Sequence, residues 1–262
     1  LTAFFIDIDG VLWRGSQALA GAPEAIRLLR RRSPLLLVTN ATRLSADEIS
    51  AALIRMGFSI RREEVFTPID ATIAFIKKRK PAARCHLIME GKARADFTRA
   101  GLTLTEEAAD FVVLGLDTQL RYGDLDRAFR NLKAGAELIA ANATRFYPLE
   151  DGLHLGVGPF VSALECASEQ KAVVIGKPNP EFFQAALERL GSRRDETVMI
   201  GDDPIDDIQG AQSFGLRTVF IEGASSAADL ERHSIRPDFT LPAIAEIGRI
   251  LEALEKPAAP PV

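Results

Sequence analysis

Four short stretches of this chain carry side chains of the kind that handle phosphate and a divalent cation. They are Asp7-x-Asp9 in FFIDIDGVL, Thr39-Asn40 in LLLVTN, Lys177 in VIGKPNP, and Asp202-Asp203 with Asp206-Asp207 in IGDDPIDD. Two carboxylates at i and i+2 leave a strand on the same side, and they repel unless a cation or a shared proton relieves them. A phosphoryl group in transfer spreads negative charge over its oxygens, so a site for it must neutralise charge. Mg²⁺ suits such a site because it is hard and takes a few carboxylates together with waters and phosphate oxygens. Asp7 and Asp202, with the backbone carbonyl of Asp9, form a candidate ligand set. Lys177 and the Thr39 hydroxyl would then meet the phosphate, and Asp7 would attack phosphorus as a carboxylate nucleophile. Asp9 would protonate the leaving oxygen and later take a proton from the hydrolytic water. For residues 7–9 taken alone, an Asp-rich turn closing an ordinary strand is the plain alternative.

Each stretch follows a short apolar run. Ala3–Ile6, Leu35–Val38, Val173–Ile175 and Thr197–Ile200 read as strands buried on both faces, the pattern of a parallel sheet. Parallel strands in one sheet would bring all four stretches to one edge, where open α/β sheets bind ligands. Helices fill the intervals. One starts at Pro23, a proline suited to a first turn. Another runs to Met56 and stops at Gly57, opened by Ser45 and Glu48 as a capping box. Others are predicted over Ile69–Lys78, Glu181–Leu190, from GDDPIDD through Phe214, and over Ile244–Leu254, with a strand at Arg217–Ile221. The middle repeats the alternation without acidic strand ends. Its strands are predicted at Cys85–Met89, Phe111–Leu114 and Glu137–Ala140, with helices near 92–100, 124–133 and 159–168. Lys77-Lys78-Arg79-Lys80-Pro81 reads as a solvated linker. The predicted organisation is an α/β domain made from residues 1–78 and 174–262, with a second α/β domain, 79–173, inserted.

Composition narrows the function classes. The chain has 262 residues, 47% hydrophobic and 26% charged, with a formal net charge of −4, an ordinary globular composition. Acids and bases are dispersed, with none of the basic striping of a nucleic-acid binder. No run of 18 apolar residues is present to span a membrane, and an apolar strand follows the first residue too closely for a signal peptide. Cys85 and Cys166 stand without CxxC or finger spacing, which suggests reduced thiols and a cytoplasmic setting. The terminal KPAAPPV reads as a frayed tail.

DIDGVL, LLVTN, GKP and GDDxxxD, in that order, resemble the four motifs of the haloacid dehalogenase (HAD) superfamily. The insert between the second and third motifs resembles its C2-capped, NagD-like (class IIA) branch, and the resemblance covers nearly the whole chain. ATRFYPLEDGLHLGVGPFVSALE, VVIGKPNPEFF and MIGDDPIDDIQGAQ are similar to a narrower group that contains the phospholysine phosphohistidine inorganic pyrophosphate phosphatase. The resemblance implies a Rossmann-like parallel-sheet core with a smaller α/β C2 cap inserted. It implies a Mg²⁺-dependent phosphatase acting through an aspartyl-phosphate on a small phosphate monoester, pyrophosphate or phosphoamidate. By position it makes Asp7 the nucleophile and Asp9 the general acid/base, with Asp7, Asp9 and Asp202 at the metal. Thr39, Asn40 and Lys177 fall on phosphate-binding positions, and Asp207 on the acid that supports the metal's water shell. Asp203 and Asp206 are as readily helix N-terminal acids, favoured there by the helix dipole. A homodimer through the cap is also implied.

Asp9 argues against a carbon dehalogenase, which typically lacks the second acid of the first motif, and against a transporting ATPase, which has threonine there. A phosphomutase or phosphotransferase would use the same two acids, although the large cap favours hydrolysis. A phospho-accepting binding protein of the receiver type is a further alternative, but its aspartate would lie mid-chain in a domain about half this length. Smaller features read as structural first. Gly156-Val157-Gly158-Pro159 looks like a tight turn into a helix, and Asp117 like a turn residue. His86, His154 and His233 lack ligand spacing. Arg145, Phe146 and Tyr147 are candidates for a pocket lining, weighed below ordinary packing, and Asn142, after a strand end, is a candidate to face the core on the same weighing. Trp13 either borders the cleft or packs.

Overall fold

Apolar runs with no polar alternation leave no face for water, and in the computed structural model, which describes residues 3–149, 151–223 and 225–254, Ala3–Ile6, Leu35–Val38 and Thr197–Ile200 are buried from end to end, while Val173 and Val174 are only half-buried, against expectation. By internal contacts the chain divides into two units. The first comprises Leu1–Thr39, Ala46–Phe66 and Phe182–Val262, and the second Asn40–Ser45 and Thr67–Glu181. The Pro68–Arg79 helix and residues 174–181, placed with the first domain in the sequence reading, fall in the second unit. Leu1 and the KPAAPPV tail lie outside the described residues.

The first unit is built on six parallel strands in the order Phe239–Leu241, Arg217–Ile221, Thr197–Gly201, Ala3–Asp7, Leu35–Val38, Val65–Phe66. Successive strands step outward from Ala3–Asp7 in one direction and later in the other. Such a reversal opens a crevice at the carboxyl ends of the strands beside it. Phe4 and Ile6 on one face of the sheet join Leu37, Val198, Ile200 and Val219 in a core closed by Ile26, Leu29, Ile49, Leu53 and Ile247. The Ala22–Arg30 helix turns Ala22, Ala25, Ile26 and Leu29 inward, a stripe at helical spacing. Elsewhere in the unit an aromatic file runs Phe66, Phe182, Phe183, Phe214, with successive ring centroids 5.3, 5.8 and 5.7 Å apart.

Two expectations are corrected here. The segment predicted as one helix over Ile244–Leu254 is a 3₁₀ helix, Ile244–Arg249, followed by a single α turn, Leu251–Leu254. Gly248, a weak helix former, sits near the junction. After the fourth motif, the helix through Phe214 starts with a π-helical turn, Pro204–Gln209, before Gly210–Phe214.

The second unit has its own parallel sheet, ordered Val173–Val174, Glu137–Ala140, Phe111–Leu114, Arg84–Ile88, Thr103–Leu104. Its helices include Ala93–Arg99, Tyr122–Lys133 and Gly158–Ser168, close to the predicted spans. Val173–Val174 belongs here and not to the first sheet, pairing with Ile139 and Ala140. The expectation that one sheet carries all four chemical stretches is therefore wrong for the third of them. A buried parallel strand reads the same whichever sheet it joins, so its sequence carries no address. Antiparallel ribbons at Trp13–Arg14 with Gln17–Ala18, and at Phe146–Leu149 with Gly152–Leu155, complete the described strands. They escape sequence reading because two to four residues are too few to show a period. No helix among the described residues is long and apolar enough to cross a membrane.

Candidate active site

Three adjacent strands of the first sheet set the site. Asp7 ends Ala3–Asp7, Thr39 follows Leu35–Val38, and Asp202 follows Thr197–Gly201. Asp207 arrives within the π-helical turn that begins just after Asp202. Asp7, Asp202 and Asp207 are all buried, and one carboxylate oxygen from each lies within 4.8 Å of the others. Buried like charges this close oppose one another's ionisation unless a cation takes up the charge. Three hard oxygen donors are also the set a small divalent cation accepts while keeping sites for water and phosphate. The residues present therefore fit a divalent metal ion.

Two glycines let the carboxylates approach. Gly10 has φ +82°, a left-handed conformation that side chains resist, and a Cβ built there would lie 2.0 Å from Asp202 Oδ2. A Cβ on Gly201 would lie 2.3 Å from Asp207 Oδ2. The glycines of DIDG and IGDD thus leave the space that two of the three acids fill.

Asp9 stands apart from this cluster. It is exposed, and its carboxylate is held by two donors. The Trp13 indole N–H donates to Oδ1 at 2.6 Å, and the Thr39 hydroxyl to Oδ2 at 3.3 Å. The turn that allows this is closed by Gly10 N–H to Trp13 O at 2.9 Å and Leu12 N–H to Ile8 O at 2.9 Å. Trp13 is itself buried, so the indole is a fixed donor. Sequence reading left Trp13 undecided between bordering the cleft and packing beneath the cap; it packs in the core of the first unit and donates to Asp9. The four-residue spacing from Asp9 was the available signal, but only the turn geometry makes it a contact.

Asp203 and Asp206 separate from the cluster as well. Asp203 caps the turn that follows, its Oδ1 accepting from Ile205 N–H at 2.8 Å and Asp206 N–H at 2.7 Å. Its own backbone N–H donates to Asp207 Oδ2 at 3.2 Å, so Asp203 also orients Asp207. Asp206 is partly buried on the same turn.

Asn40 and Lys177 lie in the second unit, Lys177 buried with its carbonyl accepting from Asn40 Nδ2 at 2.9 Å. Asn142 continues the tie, its Nδ2 donating to the Asn40 carbonyl at 2.9 Å. The remaining candidates are structural in place. Asp117 Oδ1 accepts from Gln119 N–H at 2.9 Å, a turn contact. Gly156 and Gly158 pass so close to the Thr144 and Ala143 carbonyls that a Cβ would lie 2.1 and 2.6 Å from them. Phe146 is exposed on the ribbon, and Tyr147 lies against His154 with ring centroids 5.8 Å apart. Both cysteines are free, Cys85 buried and Cys166 exposed.

Known proteins resemble this chain over most of its length. A family model described as Haloacid dehalogenase-like hydrolase matches residues 4–103, and a second, of HAD-like hydrolases, matches 174–247. Haloacid dehalogenase-like hydrolase domain-containing protein 2 of Bos taurus is 39% identical, over 92% of this chain and 92% of its own. The phospholysine phosphohistidine inorganic pyrophosphate phosphatase of Bos taurus is 32% identical, over 94% of this chain and 92% of its own. Among solved structures, the p-nitrophenyl phosphatase from Archaeoglobus fulgidus superposes with a TM-score of 0.91 at 25% identity, covering 95% of this chain and 99% of that one. NagD from E. coli K-12 gives 0.87 at 27% identity, covering 94% and 98%.

Proposed function

Since this chain belongs to the haloacid dehalogenase superfamily, in the NagD-like branch of phosphatases, we propose that it hydrolyses a small phosphorylated compound with Mg²⁺ and through an aspartyl-phosphate. The observation that carries the reading is the buried convergence of Asp7, Asp202 and Asp207 beside an Asp9 held by two donors. Mg²⁺, when bound by Asp7, Asp202 and the Asp9 carbonyl, supplies positive charge against the carboxylates and the phosphate. Asp7 attacks phosphorus, the bond to the leaving oxygen breaks, and that oxygen takes its proton from Asp9. The Asp9 carboxylate then takes a proton from water, which attacks the acyl phosphate and releases inorganic phosphate with Asp7 restored. Trp13 and Thr39 hold the Asp9 carboxyl in one orientation for both transfers, and positioned acid–base groups of this kind contribute about 10²–10⁴-fold. Asp207 keeps its place through the Asp203 N–H. Lys177 and Asn40 enter through their motifs, as the cation and the amide for phosphate oxygens.

The substrate class in this reading is a phosphate monoester, pyrophosphate or phosphoamidate. The names of the relatives support it, since they include a p-nitrophenyl phosphatase and an inorganic pyrophosphate phosphatase. A cytoplasmic enzyme, paired as a homodimer through its inserted domain, completes the proposal. The test is phosphate release from p-nitrophenyl phosphate, pyrophosphate and a panel of phosphorylated metabolites, with Mg²⁺, with EDTA, and with Asp7→Asn. Acid-quenched wild-type protein should carry phosphate on the Asp7 peptide during turnover, and Asp7→Asn should carry none. Absence of Mg²⁺-dependent turnover across the panel, or phosphate retained on another residue, would overturn the reading.

A further inference from the structure

Asn40–Ser45 belongs to the second unit and is tied to the carboxyl edge of its sheet, the edge at which open α/β sheets take ligands. Asn40 meets two strand ends, donating to the Lys177 carbonyl beyond Val173–Val174 while its own carbonyl accepts from Asn142 Nδ2 beyond Glu137–Ala140, both at 2.9 Å. Thr42 Oγ1 accepts from Leu116 N–H at 3.2 Å, beyond Phe111–Leu114. Arg43 pairs with Glu90, beyond Arg84–Ile88, its Nε 3.5 Å from Oε1. These four strands are neighbours in that order, so residues 40–43 cross the strand ends one after another. Adjacent strands lie about 4.8 Å apart, which puts the Arg43 pair about 14 Å, three strand spacings, from the strand that leads to Lys177.

The pair is fixed in place. Glu90 Oε2 accepts from the Thr118 hydroxyl at 2.9 Å and from the Thr118 N–H at 3.4 Å, and the Glu90 N–H donates to the Leu116 carbonyl at 3.1 Å. Gly91, at φ +76°, lets the backbones approach so closely that a Cβ there would lie 3.0 Å from the Arg43 carbonyl oxygen. Both charged ends nonetheless stay open, the Arg43 side chain 51% and the Glu90 side chain 27% exposed. Apart from Glu90, the guanidinium has no hydrogen bond or ion pair among the described residues. At 3.5 Å the two groups attract without a close hydrogen bond, so Glu90 Oε1 has room for a donor and the two terminal nitrogens of Arg43 have room for an acceptor.

One guanidinium and one carboxylate sum to no net charge. A bare anion gains from Arg43 and loses to Glu90, and a bare cation does the opposite. A group carrying one charge of each sign gains from both. The α-amino acid group is of this kind, since its carboxylate takes two parallel N–H donors from a guanidinium and its ammonium donates to a carboxylate. In the function proposed above, Lys177 is the cation for phosphate oxygens. Resting on that reading, we infer that Arg43 and Glu90 form a specificity subsite for a zwitterionic leaving group, the amino acid end of an elongated substrate whose phosphate lies at the opposite end. The three strand spacings, less the reach of Lys177 and Arg43, set the length of that substrate.

The probes share one phenyl phosphate scaffold. O-phosphotyrosine carries both charges, O-phosphotyramine lacks the carboxylate, and 3-(4-phosphonooxyphenyl)propanoate lacks the ammonium. The measurement is kcat and KM for each on the whole chain with saturating Mg²⁺, beside p-nitrophenyl phosphate. Phosphotyrosine should exceed each of the other two about tenfold in kcat/KM, the size of one charge-assisted contact, and the difference should lie in KM. Arg43→Met should erase the preference over phosphotyramine, and Glu90→Gln the preference over the propanoate. Each ratio is taken within one variant, so a loss of folded protein does not move it, and the wild-type ratios decide the matter should a variant fail to fold. Mg²⁺-dependent turnover of p-nitrophenyl phosphate with no preference among the three probes, or an unchanged ratio in Arg43→Met, would overturn the subsite and leave the phosphatase reading standing. No Mg²⁺-dependent turnover of any of these compounds would overturn that reading and the subsite with it.

Discussion

Gly10→Ala separates the geometry of the acidic cluster from the stability of the fold. At φ +82° an L side chain costs about 1–2 kcal/mol in local strain. The added Cβ would also lie 2.0 Å from Asp202 Oδ2 and 2.7 Å from its Cγ, where ordinary contact begins at 3.4 Å. The carboxylate would have to withdraw by more than an ångström from its place beside Asp7 and Asp207. A displacement of that size at reacting groups costs on the order of 100-fold in rate, and Mg²⁺ affinity should fall with it. Gly101→Ala is the matched control. Its φ is +83° and nothing lies within 4 Å of the new Cβ, so it should carry the strain alone. The assay is kcat for p-nitrophenyl phosphate as a function of Mg²⁺ concentration, beside thermal unfolding. Gly101→Ala should lose only the strain, Gly10→Ala should lose more stability than that, and only Gly10→Ala should lose turnover and metal response. Wild-type kcat and Mg²⁺ dependence in Gly10→Ala would refute the placement of Asp202 in the site.

Trp13→Phe keeps the buried ring and removes the donor to Asp9 Oδ1. A hydrogen bond to a charged group is worth about 1.5–3 kcal/mol of stability, so the melting temperature should fall, kcat of the folded enzyme should fall with the loosened Asp9 carboxyl, and an unchanged kcat would show that the contact is passive. Asp203→Ala removes the side-chain cap on Ile205 and Asp206, which should cost about 0.5–2 kcal/mol in stability while Mg²⁺ dependence stays close to wild type; loss of metal instead would make Asp203 a ligand. Saturating Mg²⁺ should raise the melting temperature by mass action, and the rise should vanish in Asp202→Asn if that carboxylate holds the ion. Burial pushes the Cys85 thiol up to about 11, so near pH 8 it is almost wholly protonated and shielded. Iodoacetamide should therefore label Cys166 on the native protein and spare Cys85, as read by peptide mass spectrometry; both should react after denaturation.

The local sequence was enough for the strand ends and helices that carry the site. An apolar run followed by Asp7-x-Asp9 marks a buried strand with acids at its end, because side-chain alternation and the loss of regular backbone at Gly10 are local events. The same holds for Ala22–Arg30, where burial follows helical periodicity, and for Leu35–Val38, an unbroken apolar run buried throughout. Partners distant in the chain were settled by packing alone. Val173–Val174 has the composition of any buried parallel strand, and only pairing with Ile139 and Ala140 assigned it to the second sheet. GDDPIDD offers four acids within six residues, and local spacing cannot rank them. The π-helical turn does, burying Asp207 beside Asp7 and leaving Asp203 to cap the turn. Trp13 became a donor to Asp9 only when the Ile8–Trp13 turn closed, and Arg43 meets Glu90 only because residues 40–43 cross the strand ends of the second sheet. Sequence set the chemistry available at each strand end, since residue type and local backbone are properties of a few adjacent residues. Tertiary structure chose which of those groups meet, because closeness in space depends on sheet order and turn geometry that no single stretch contains.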